Sequence, residues 1–74
     1  MQELTERQRE VLAFIVRFRN ERGVPPSLRE LARGLGLASI NGVSQHLDAL
    51  QRKRYIDRGP AMASRAIRVL REAP

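Results

Sequence analysis

No helix is expected to run through Gly23-Val24-Pro25-Pro26. Glycine at a helix end admits the left-handed turn that closes it, and each proline disfavours helical backbone in the residue before it. Ser27-Leu28-Arg29-Glu30 follows at once and starts a new helix. The Ser27 hydroxyl accepts from the backbone three residues on, and Glu30 reaches back to the cap. Such a cap is worth about 1 kcal/mol. A second capping box, Thr5-Glu6-Arg7-Gln8, opens the helix that Gly23 stops. Gly36 closes the helix begun at Ser27, and Gly34 weakens its last turn slightly.

Apolar spacing agrees with this punctuation. Val11, Leu12, Ile15 and Phe18 form one stripe of the first helix. Leu28, Leu31, Ala32 and Leu35 form the buried face of the second. Leu37 tucks under a short turn, and Ser39 caps a third helix that runs to about Lys53, with Ile40, Val43, Leu47 and Leu50 inward. The period then changes. Tyr55-Ile56-Asp57-Arg58 and Ala66-Ile67-Arg68-Val69 alternate as half-buried strands do, and Gly59-Pro60 begins their connection. A two-stranded hairpin is marginal alone, so it must pack on the helices through Ile56, Ile67 and Val69. The expected fold is mainly α with a small β-hairpin, a three-helix winged helix-turn-helix. Residues 1–70 form the domain, and 71–74 form a tail or the start of a linker.

Several functions are excluded early. A chain of 74 residues buries a modest core and has little room for a deep pocket. There is no cysteine, so disulfides and thiolate chemistry are absent. No apolar run is long enough to span a membrane, and the first residues lack the layout of a signal peptide, so a cytoplasmic location is expected. His46 is the only histidine, at the edge of an apolar face. Metal-ligand clusters, glycine-rich phosphate loops and paired carboxylates beside a pocket are all missing. Ser27, Ser39 and Ser44 have helical explanations. No enzyme activity, metal or cofactor is expected.

The charge points elsewhere. Of the net +6, most falls in residues 51–74, where seven Lys or Arg face two acids. Thirteen of the fourteen cations are Arg, whose forked donors suit phosphate and guanine. Opposite the apolar stripe of the third helix lie Asn41, Gln45, Asp48 and Arg52, flanked by Gly42 and Ser44. Asn and Gln each donate and accept, as paired contacts to adenine require. The first turns of this helix are polar but uncharged, which fits insertion between two phosphate backbones. Glycine within a helix costs roughly 1 kcal/mol relative to alanine, and close approach to a base or backbone is one reason to accept it at Gly42. Arg52-Lys53-Arg54, then Arg58, Arg65 and Arg68, stand where a winged domain meets the flanking phosphates. Alternation leaves the face of Arg68 open. Asp48 is expected to pair with Arg52, four residues on.

Leu4-Thr5-Glu6-Arg7-Gln8, Gly23-Val24-Pro25-Pro26-Ser27, Ser39-Ile40-Asn41-Gly42-Val43, His46-Leu47-Asp48-Ala49-Leu50 and Ser64-Arg65-Ala66-Ile67-Arg68-Val69 together resemble the N-terminal domain of LexA repressors. The resemblance runs from about Leu4 to Leu70. It implies a winged domain that represses DNA-damage-response genes, with dimers on palindromic operators and one half-site per domain. It implies base readout at Ser39, Asn41, Gly42, Ser44 and Gln45, and phosphate contact at Arg52, Lys53, Ser64 and Arg65. Ser44 and Gln45 stand where some members carry acidic residues, and Arg54 stands where the family usually has glycine. Members also have a second domain with a Ser–Lys self-cleavage site and the main dimer interface. None of it lies in these residues, which fits either an excised fragment or a free-standing protein.

The leading expectation is therefore sequence-specific binding of double-stranded DNA by a chain that is monomeric or weakly dimeric alone and paired on its operator. The alternative is a small free-standing winged regulator that acts through protein–protein interaction.

Overall fold

The computed structural model describes residues 3–59 and 66–71. Three helices, α1 (Glu6–Arg22), α2 (Leu28–Leu35) and α3 (Ile40–Arg52), precede two short strands, β1 (Ile56–Arg58) and β2 (Ile67–Val69). This is the three-helix winged helix-turn-helix expected from the sequence. Among the described residues no helix is long and apolar enough to cross a membrane.

Both capping boxes form. Thr5 Oγ1 accepts from the Gln8 N–H while the Thr5 N–H donates to Gln8 Oε1, each at 3.1 Å. Ser27 Oγ accepts from the Glu30 N–H at 3.1 Å, and Glu30 Oε1 accepts from the Ser27 N–H at 2.8 Å. These bonds satisfy backbone donors that a helix start otherwise leaves open. Gly23 and Gly36 close α1 and α2 with φ of 80° and 69°. Arg7 adds a tie between the two helices, donating from Nη2 to the Leu35 carbonyl at 2.9 Å.

The core is aliphatic and continuous. Val11, Leu12 and Ile15 of α1 meet Leu31 of α2 and Val43, Leu47 and Leu50 of α3. The hairpin closes this core: Ile56 and Ile67 are buried, and Val69 packs against them half-buried. Its strands are antiparallel, with Ile56 opposite Val69 and Arg58 opposite Ile67. Tyr55 is buried, and its carbonyl accepts from the Leu70 N–H at 2.8 Å. The chain stays fastened one residue further: Arg71 stacks on the Tyr55 ring at 4.2 Å and donates to the Lys53 carbonyl at 3.1 Å.

Two apolar residues differ from the stripes assigned to them. Ile40 is 40% exposed, because it is the first helical residue after the Ser39 cap and α3 settles on the core only from Val43 onward. Phe18 is only half-buried; its ring stacks on Phe14 at 6.1 Å and carries the Arg22 guanidinium at 5.1 Å. Phe14 is the ring that packs on the core. A Cβ placed on Gly34 would collide with it, so glycine in the last turn of α2 is what lets α1 approach. The weak turn read from the sequence thus has a packing cause.

Candidate nucleic-acid interface

The candidate surface is the outward face of α3, set by the way that helix starts and stops. Ser39 has extended backbone, and its hydroxyl accepts from the Gly42 N–H at 3.4 Å. The buried side of the helix faces α1 and α2, so the opposite side is left to solvent. Asn41 and Gln45 are exposed there, and their side chains have no partner among the described residues. Ser44 and Gly42 are half-buried beside them. A Cβ on Gly42 would meet no atom within 4 Å. Nothing inside the domain therefore requires glycine at this position.

The far end of α3 is held in a Schellman motif. The Tyr55 N–H donates to the Leu50 carbonyl and the Arg54 N–H to that of Gln51, each at 3.0 Å. Leu50 and Tyr55 are both buried, which supplies the apolar contact usual to the motif. Arg54 carries the left-handed turn with φ 65°, the one described non-glycine residue with positive φ. Strain of this kind costs roughly 1–2 kcal/mol. It turns the chain toward β1 and leaves the Arg54 side chain exposed.

The basic end of the sequence separates into two groups. Arg52 and Arg54 are exposed, have no side-chain partner among the described residues, and line one open depression with Gln45, Asp48 and Gln51. Among the described residues, the other cations of this end have partners within the domain. Lys53 Nζ donates to the Glu3 carbonyl and to Gln8 Oε1, each at 2.7 Å. Arg58 Nη1 donates to Asp48 Oδ1 at 2.8 Å. Arg71 covers Tyr55. Arg68 is 75% exposed and stands 3.7 Å from Asp57. Ser64 and Arg65 lie outside the described residues.

The structure thus brings Asn41, Gly42, Ser44, Gln45 and Arg52 onto one helix surface, with Ser39 at its start and Arg54 at its end. It corrects the partner expected for Asp48, which pairs with Arg58 and not with Arg52. Helical spacing made Arg52 the nearest candidate; the hairpin delivers Arg58 to the same carboxylate from outside the helix. Gln51 is an addition to the surface. Its signal was present: Ser44, Asp48 and Gln51 are spaced as neighbours on one helix seam.

Two helices joined by a tight turn, α2 and α3, the second with an uncharged polar start and a hairpin against its end, packed together on α1, define a winged helix-turn-helix domain. The chain belongs to the LexA DNA binding domain family, whose model matches residues 1–66. It is 54% identical over 59 residues to a LexA repressor of Myxococcus xanthus, covering 80% of this chain and 27% of that protein. It is 53% identical over 68 residues to a LexA repressor of Sorangium cellulosum, covering 92% and 29%. With LexA repressor 1 of Geobacter sulfurreducens it shares 54% identity over 67 residues, covering 90% and 33%. The chain spans about a third or less of the length of these relatives.

Proposed function

We propose that this domain binds double-stranded DNA sequence-specifically and serves as the operator-binding part of a LexA-like repressor. The observation that carries the reading is the state of Asn41 and Gln45. Both are exposed on uncharged turns at the start of α3, and neither is bonded to a described neighbour. A base edge in the major groove supplies the donors and acceptors they lack. Ser39, Gly42 and Ser44 complete that reading surface, and the open space at Gly42 allows close approach.

Arg52 and Arg54, with Ser64 and Arg65 of the wing, hold phosphates and fix the register. Lys53, bonded to two neutral oxygens within the domain, adds its charge to the same field, whereas Arg58 is paired with Asp48. The domain pairs on a palindromic operator, one copy per half-site. By similarity to LexA repressors, the genes controlled are those of the DNA-damage response, in the cytoplasm of a bacterium. Selection from a pool of random duplexes tests this. The expected product is a palindrome with two half-sites. A pool without enrichment, beside strong binding to protein partners in gel filtration, would overturn it in favour of an interaction module.

A further inference from the structure

Asp48 is out of place on a surface that meets a polyanion. It is the one acid among the thirteen residues of α3, it is 62% exposed at its side chain, and it lies on the outward face between Gln45 and Arg52. A carboxylate there repels phosphate. The structure shows what it holds instead. Arg58, the last residue of β1, reaches across from the base of the wing and meets Asp48 at 2.8 Å. The Arg58 side chain is only 21% exposed, less than Asp48 itself. Arg52 and Arg54 line the same depression and have no side-chain partner among the described residues. Of Arg52, Arg54 and Arg58, the wing arginine is the one paired with this carboxylate.

We propose that Asp48 works by restraint: it keeps Arg58 from contributing a phosphate contact on every duplex and so sets the level of sequence-independent binding. The proposal rests on the DNA-binding reading above. Phosphate contacts strengthen binding to all sequences alike, since each releases counterions whatever the bases are. Committing one wing cation to a carboxylate lowers this sequence-independent part of the affinity and leaves the contacts of Asn41 and Gln45 as they are. Because Asp48 and Arg58 join α3 to β1, the pair also fixes the wing's base against the reading helix without using a group that reads bases.

The test measures binding of the chain and its variants to a random-sequence duplex, and to the duplex recovered by selection, by fluorescence anisotropy across a salt series. Asp48→Asn keeps the size of the side chain and removes the charge. It is expected to tighten binding to the random-sequence duplex by about threefold or more at low salt. It is also expected to steepen the salt slope by about 0.9. The selected duplex is expected to gain by the same factor, so the ratio of the two affinities is unchanged. In the Arg58→Gln background the same change is expected to bring no gain, so that the double variant Asp48→Asn, Arg58→Gln binds as Arg58→Gln alone does. Unchanged binding of Asp48→Asn to the random duplex overturns the proposal. So does a gain that persists without Arg58, which would make the carboxylate a plain repulsive charge. A selective loss on the chosen duplex overturns it too, since Asp48 would then be accepting from a cytosine amino group. If the unaltered chain binds neither duplex with salt dependence, the DNA-binding reading itself fails, and the proposal with it.

Discussion

The Lys53 ammonium lies 2.7 Å from the Gln8 side-chain oxygen, tying the end of α3 to the start of α1. Gln8 is the same residue that closes the Thr5 capping box through that oxygen. Its carbonyl thus serves the N-cap of one helix and the C-cap residue of another, while the Lys53 ammonium also holds the Glu3 carbonyl. The lysine in the basic run is a brace between helices.

Replacing Lys53 by Met is therefore expected to cost about 1 kcal/mol of stability, a modest figure for charge-assisted hydrogen bonds at a half-exposed site. Arg52→Met, at an exposed side chain without a described partner, stays within about 0.5 kcal/mol of the parent. Urea denaturation of the two variants makes the comparison. Equal stability in both would mean that the brace contributes nothing.

Much of this domain is readable from local signals. The helix starts at Thr5, Ser27 and Ser39, the stops at Gly23 and Gly36, and the polar face of α3 all depend on residues within a turn or two. Pairings between distant segments were not readable. Asp48 finds Arg58 ten residues on because β1 turns back beside the helix. Lys53 finds Gln8 at a separation of 45 residues because α1 and α3 cross at their ends. Local spacing favoured Arg52 for the first pairing and phosphate for the second. The state of Arg54 was legible in part, through the resemblance to a family with glycine there. The wing residues Ser64 and Arg65 lie outside the described structure.

Two glycines respond oppositely to the same change. Alanine at Gly42 meets nothing within 4 Å, so Gly42→Ala is expected to stabilise the isolated domain by up to about 1 kcal/mol. Alanine at Gly34 strikes the Phe14 ring, which is itself packed on the core, so Gly34→Ala forfeits that gain or destabilises the domain. Thermal unfolding followed by circular dichroism ranks the two variants. Gly34→Ala melting as high as Gly42→Ala would contradict the packing described for α1 and α2.

Arg54 sets function against stability. Its left-handed backbone is tolerated at a cost that glycine avoids. Arg54→Gly is expected to raise stability by about 1 kcal/mol and to weaken binding to every duplex alike, because an uncommitted cation is lost. Melting and anisotropy on one preparation check both halves. A loss of stability would mean that the Arg54 side chain has a structural role.

The proposed DNA binding divides α3 into a start that reads bases and an end that holds phosphate. Anisotropy of Asn41→Ala and Arg52→Gln, on the selected duplex and on a scrambled one over a salt series, tests it most directly. Asn41→Ala is expected to lose about 1–3 kcal/mol on the selected duplex and almost nothing on the scrambled one, with the salt slope unchanged. Arg52→Gln is expected to weaken both duplexes equally and to flatten the slope by about 0.9. If Asn41→Ala weakened both duplexes alike, or left both untouched, the start of α3 would not be the part that reads bases.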